Sequence, residues 1–160
     1  MAGRSFEPVQ EAGTSFVLPK RSTENSAGYD FYSAEDFVVP SFWGNLWKLL
    51  TGRQPVPTLV KTNIKAKMRA NEALLLFNRS SNPIKYGLVL ANGVGVVDSD
   101  YYSNKDNDGN ICFAFYGFRP FKTKFPSGMK IGQGVFITYL KTDDDRSAGK
   151  REGGFGSTGS

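Results

Sequence analysis

The segment Val96-Val97-Asp98-Ser99-Asp100-Tyr101 sets two carboxylates two positions apart at the end of an apolar run. On a strand, side chains two apart share a face, so Asp98 and Asp100 are expected on the same side. A carboxylate fixed beside a phosphate can orient a water and take its proton. The alternative is a polar strand end with no chemistry. Histidine is absent from the chain. That excludes Ser-His-Asp and Cys-His nucleophile chemistry in their usual forms. Cys112, the single cysteine, cannot complete a zinc site or an internal disulfide. A general base near neutral pH therefore falls to a carboxylate, or less often to Lys or Tyr.

Arg79-Ser80-Ser81 follows the apolar run Ala73–Phe77. A guanidinium beside two hydroxyls is a good oxyanion binder, because Arg offers a rigid fork of donors. A surface turn before Pro83 is the plainer reading of the same residues. Asn104 to Gly109, NKDNDG, begins like a calcium loop, but the twelfth position is Phe115 where a Glu is needed. Asp108-Gly109 reads instead as a hairpin turn. The chain closes on Arg151-Glu152-Gly153-Gly154-Phe155-Gly156-Ser157-Thr158-Gly159. Its glycines allow backbone N–H groups to converge on an anion, and Ser157 and Thr158 add hydroxyls. Phe155 has nothing apolar beside it, which suits stacking on a planar ligand. A disordered tail is the alternative.

The elements that must position these groups are short. The 160 residues suit one domain with a real core. Glycine and proline, 18 and 8 of them, imply many turns. Phe16–Leu18, Ile64–Met68, Ala73–Phe77, Leu88–Leu90, Val94–Val97, Ile111–Phe118 and Val135–Leu140 read as strands. At this spacing they predict an all-β sandwich or barrel. Phe42, Trp43, Leu46, Trp47, Leu49 and Leu50 recur at helical spacing, with Ser41 as cap and Gly52, Pro55 and Pro57 as terminators. That helix is expected to pack on its own subunit; a membrane or partner-binding role is the lesser option. Residues 1–145 are expected as one β domain and 146–160 as a flexible arm. The net charge of +5 suits a phosphate-bearing ligand without separating nucleotide from nucleic acid. No apolar run is long enough to span a bilayer, so a cytoplasmic protein is expected.

In this order, the pieces resemble the five motifs of the trimeric dUTPases, with a flavour most similar to those of Gram-positive bacteria and their phages. Ala27-Gly28-Tyr29-Asp30-Phe31-Tyr32-Ser33-Ala34 resembles the first, Arg79-Ser80-Ser81 the second and Asn92–Tyr101 the third. Ile131-Gly132-Gln133 resembles the fourth and Gly153–Gly159 the fifth. The resemblance implies a dUTPase-like distorted jelly-roll (β-clip) barrel and hydrolysis of dUTP to dUMP and pyrophosphate. It implies Asp98 as the base that activates water. Asn92, Gly93 and Val97 would hold the uracil edge, Tyr101 would stack on the deoxyribose, and Phe155 would cover the base. Arg79, Ser80, Ser81, Gln133, Arg151, Gly156, Ser157 and Thr158 would contact phosphates. Asp30 would hold waters of a Mg²⁺ ion. A homotrimer with shared sites is implied, with no nucleic-acid or membrane partner.

The chain departs from the pattern in three places. Lys150 stands where the fifth motif usually has Arg, leaving Arg151 for the γ-phosphate. Tyr102-Ser103-Asn104 replaces a nearby Gly with a longer turn. Residues 41–55 are an insertion, and 42–50 could face a protein partner. A dCTP deaminase of the same fold and a phage regulatory protein-binding module are the rival readings.

Overall fold

The computed structural model describes residues 3–147, so the expected contacts of Lys150, Arg151, Phe155, Gly156, Ser157 and Thr158 lie outside the described residues. In chain order the elements are β1 (Ser5–Pro8), β2 (Lys20–Arg21), β3 (Tyr29–Tyr32), β4 (Phe37–Val39), helix α1 (Phe42–Leu50), β5 (Thr58–Lys61) and β6 (Ile64–Lys67). There follow β7 (Glu72–Phe77), a π-turn (Asn82–Tyr86), β8 (Leu88–Leu90), β9 (Gly95–Asp98), one 3-10 turn (Ser99–Tyr101), β10 (Cys112–Gly117), β11 (Thr123–Phe125) and β12 (Lys130–Thr138).

All pairings are antiparallel. A five-stranded sheet has the order β2-β3-β12-β7-β9, a three-stranded sheet β5-β10-β8, and two pairs join β1 to β6 and β4 to β11. The expected all-β, jelly-roll-like class holds, but among the described residues no sheet closes into a barrel. Phe31, Leu74, Leu76, Ile111, Phe113, Phe115 and Ile131 are fully buried where the sheets face one another. Burying each large apolar side chain contributes roughly 1.5–3 kcal/mol. Phe113 approaches so closely that a Cβ on Gly132 would lie 2.0 Å from its ring. Gly132 is therefore a packing requirement, and a bulge between Lys130 and Gly132 accompanies it.

Several sequence expectations are corrected. Phe16–Leu18 forms no strand; the first is β1, whose Phe6 packs at 5.2–5.4 Å centroid distance on Tyr29, Phe31 and Phe136. Strands β8 and β9 do not pair with each other. They leave the Asn92-Gly93 turn into different sheets, β8 onto β10 and β9 onto β7. Asp108-Gly109 is a turn, with φ of 54° and 80°, but the strands flanking it do not pair with each other. Lys65, at an alternating position of the Ile64–Met68 strand, is buried, and Asp108 neutralises it at 2.8 Å.

Helix α1 starts and stops as its sequence predicts. Ser41 Oγ accepts from Gly44 N at 3.0 Å, and Gly52 (φ 73°) follows the last turn. Its packing is the surprise. None of its residues is buried, and Trp43, Trp47 and Leu50 are 61%, 68% and 73% exposed. The more polar Asn45 and Lys48 are better covered than these three, and Asn45 Oδ1 is buried without a hydrogen-bond partner among the described residues. The helix is tethered mainly at its start, where Phe42 N donates to Arg119 O at 2.7 Å and Phe42 stacks on Phe118.

Candidate active site

The outer face of the five-stranded sheet carries the polar groups. Along β7, Leu74 and Leu76 face the core, so Ala73, Leu75 and Phe77 face outward. Register then carries this face across the sheet: Phe77 lies beside Gln133 of β12, and Gln133 beside Asp30 of β3. On the other flank, Ala73 lies beside Asp98 of β9.

At the Phe77 end, Asp30 is buried and surrounded by donors. Lys130 Nζ lies 2.8 Å from its Oδ2, Ser22 Oγ donates to the same oxygen at 2.9 Å, and Arg79 Nε lies 3.4 Å from Oδ1. Burial opposes the charge on Asp30. The hydrogen bonds from Lys130 and Ser22 and the two cations outweigh it, holding the carboxyl below the usual aspartate range. The bond to Asp30 in turn raises Lys130. Two cations around one carboxylate leave the cluster with a net positive charge. The groups open onto a cleft of about 460 Å³ lined by Gly28, Asp30, Arg79, Ser80 and Gln133 among others. Gly28 leaves room for the Gln133 amide, because a Cβ on it would fall 2.7 Å from Gln133 Oε1.

The loop that presents Arg79 and Ser80 is fixed by two asparagines that the motif reading did not single out. Asn78 Oδ1 accepts from Arg79 N at 3.0 Å and from Asn82 Nδ2 at 2.7 Å. Fully buried Asn82 also donates to Ile131 O at 2.7 Å, tying the loop to the strand that bears Gln133. Ser81 turns the other way. Its hydroxyl is buried, without a partner among the described residues, and it does not line the cleft. Lys130 and Ser22 were also missed. Lys130 stands next to the fourth motif, and a cation there was the available signal.

At the Ala73 end, Asp98 is exposed on the same side as Val96. The chain then turns into the 3-10 turn, so Asp100 is not on the strand and the expected shared face with Asp98 does not arise. Val97 points into the core at 4% exposure, so only its backbone is available to the outer face. Asn92 and Gly93 (φ 68°) form the exposed turn before β9. Tyr101 is 3% exposed, and its hydroxyl donates to Asn110 O at 3.0 Å.

The structure thus joins the first, second and fourth segments into one cleft and keeps the third apart. Asp98 and Gln133 sit at the levels of Ala73 and Phe77, four residues apart along β7, about 13 Å at strand rise. Apolar Leu75, Val96 and Val135 occupy the face between them. That distance is too great for a base and a phosphate-binding cluster to share one reacting phosphate within a chain.

Fold and cleft together define an all-β protein with a polar cleft flanked by two cations. The dUTPase family model matches residues 14–159. A deoxyuridine 5'-triphosphate nucleotidohydrolase of Lactococcus lactis is 42% identical over 159 residues, covering 98% of this chain and 97% of the relative. A dUTPase structure from Streptococcus mutans superposes with a TM-score of 0.76 at 37% identity, covering 87% of this chain and 98% of the other. A dUTPase of phage phi11 of S. aureus, solved to visualise its species-specific insert, shares the fold with a TM-score of 0.65 at 18% identity, covering 92% of this chain and 97% of the other. The chain belongs to the dUTPase family.

Proposed function

We propose that the protein hydrolyses dUTP to dUMP and pyrophosphate, in sites shared between the subunits of a homotrimer. The observation that carries this reading is the split outer face. A cationic cleft around Arg79, Gln133 and Asp30 stands at one end, and a solvent-facing Asp98 at the other. A neighbouring copy laid across the apolar ground between them brings one chain's Asp98 to the other's cleft.

In this arrangement Asp98 takes a proton from water as the water attacks. The bond between the α- and β-phosphates breaks, and pyrophosphate leaves. Arg79, Ser80 and Gln133 hold phosphate oxygens and neutralise charge, which is most of what phosphoryl chemistry asks of a protein. Asn92, Gly93 and the Val97 backbone take the uracil edge. The Tyr101 ring forms the floor under the deoxyribose. From the arm, Arg151, Gly156, Ser157 and Thr158 would add phosphate donors and Phe155 would cover the base. Such an enzyme works in the cytoplasm, and no helix among the described residues is long and apolar enough to cross a membrane.

Mg²⁺ fits the residues present. Among the described residues there is no cluster of three or more metal-ligating side chains, so the ion would be held mostly by phosphates and its own waters. Among the described residues Asp30 Oδ1 meets Arg79 Nε at 3.4 Å, and it can accept from a metal-bound water. When bound, the ion neutralises phosphate charge. A dUTPase of phage phi11, 18% identical, is described with a structural Mg(II) ion.

The test is pyrophosphate release from dUTP, dCTP, dTTP and UTP with Mg²⁺, for the wild type and Asp98→Asn. Release from dUTP alone, abolished by the substitution, is expected. Ammonia release from dCTP would favour the deaminase reading instead. A second reading, a protein-binding surface on residues 42–50, is favoured by the outward apolar face of α1. Removal of residues 42–54 with full turnover would keep that surface separate from catalysis. Loss of the trimer on removal would make the helix structural.

A further inference from the structure

Past Tyr101 the chain continues through Tyr102–Asn110 before β10 begins. These residues close a polar knot around Tyr101. Asn107 Nδ2 donates to Tyr101 Oη at 2.7 Å, while the same hydroxyl donates to Asn110 O. Asn104 Nδ2 holds the other end of the residue, donating to Tyr101 O at 2.9 Å. Asn104 and Asn107 are themselves joined at 2.8 Å, and Asn107 Oδ1 accepts from Gly109 N at 3.1 Å. The loop passes so near that a Cβ on Gly109 would lie 2.8 Å from Tyr101 O, at a φ of +80°. Its far side is pinned to the domain. Asp108 pairs with Lys65 of β6 and accepts from Gln10 N at 2.8 Å, and Tyr102 Oη donates to Glu7 at 2.6 Å.

We propose that Asn107 is a positioning residue for sugar selection: through the Tyr101 hydroxyl it fixes the plane and depth of the Tyr101 ring. The proposal rests on Tyr101 being the platform under the deoxyribose. A platform excludes a 2′-hydroxyl only if it cannot yield by a few tenths of an ångström. The ring packs within the core cluster, and the bonds at its hydroxyl are among the contacts that keep it from tipping. Removing the Asn107 donor leaves that hydroxyl one anchor fewer. The sugar pocket then accommodates the larger ribose.

The experiment measures kcat/KM for dUTP and for UTP in the wild type, Asn107→Ala, Tyr101→Phe and the double variant, with Tyr101→Leu as a control on the platform. The ratio of the two substrates does not change with the fraction of chains folded, so a merely structural role leaves it fixed. In Asn107→Ala the ratio is expected to fall about tenfold, the worth of one buried hydrogen bond, chiefly through a lower KM for UTP. Tyr101→Phe, which also loses the bond to Asn110 O, should give at least as large a fall. The double variant should add little to Tyr101→Phe, because the hydroxyl that Asn107 braces is already gone. An unchanged ratio in Asn107→Ala, or full additivity in the double variant, overturns the proposal. An unchanged ratio in Tyr101→Leu overturns the platform reading beneath it. If Tyr101→Leu moves the ratio and Asn107→Ala does not, the platform stands and its brace falls.

Discussion

Gln133 occupies the space that a side chain on Gly28 would need, with Oε1 2.7 Å from the position of the missing Cβ. Two segments distant in sequence, one entering β3 and the other on β12, are thereby made to fit each other. Gly28→Ala should push the Gln133 amide out of the cleft and raise KM for dUTP about tenfold, with kcat less affected. The change is small and local, so the midpoint of thermal unfolding should move little. Steady-state kinetics decide it: an unaltered KM would mean that Gln133 does not touch the substrate.

The separation of Asp98 from Arg79 predicts complementation between inactive chains. Asp98→Asn and Arg79→Ala should each lose most activity alone. Unfolded together and refolded as a mixture, they should recover about a quarter of wild-type turnover, the share of sites drawing an intact residue from each neighbour. Recovery of nothing would place both residues in a site made by one chain.

Asp30 predicts an acid-dependent stability. Its carboxyl is held below the ordinary value of 3.8 by Lys130, Ser22 and Arg79 against the cost of burial. A folded-state value below the unfolded one means the unfolded chain binds the proton more readily. The contribution is therefore fully present above the ordinary value and is lost as pH falls through the depressed one. Asp30→Asn should destabilise the protein at neutral pH and progressively less in acid. Denaturation midpoints measured down to pH 3 test this, and a constant difference at every pH would refute it.

Trp43 and Trp47 are the only tryptophans in the chain, and both project from the outward side of α1. The emission of the assembled protein should therefore be that of solvent-exposed indole and open to quenching by acrylamide. Trp43→Ser and Trp47→Ser should shift stability by no more than about 0.5 kcal/mol, as surface changes do. Blue-shifted, unquenchable emission would show that a neighbouring subunit covers the helix.

The parts of the fold legible in the sequence are those written in local patterns. The Ala73–Phe77 run is β7, and Ser41 with Gly52 bounds α1, because strand burial and helix capping depend on nearby residues. Pairing is not local. Leu88–Leu90 and Gly95–Asp98 flank a turn yet belong to different sheets, and nothing within either strand declares its partner. The helix face was misjudged because periodicity reveals an apolar stripe without saying which side meets the protein. At the site, the motif residues were readable as short strings, whereas the supports were not. Asn78 and Asn82 act through buried hydrogen bonds to backbone 10 and 49 residues away. Lys130 acts on Asp30 from 100 residues along the chain.

Cys112 begins β10, opposite Lys61 of β5, and burial pushes its thiol up to about 11. At neutral pH almost none of it is thiolate, the form that reacts with alkylating agents and oxidants. The chain has no other cysteine. The start of β10 therefore carries a slow clock: the rate at which Cys112 is alkylated at neutral pH counts how often that thiol is uncovered and ionised.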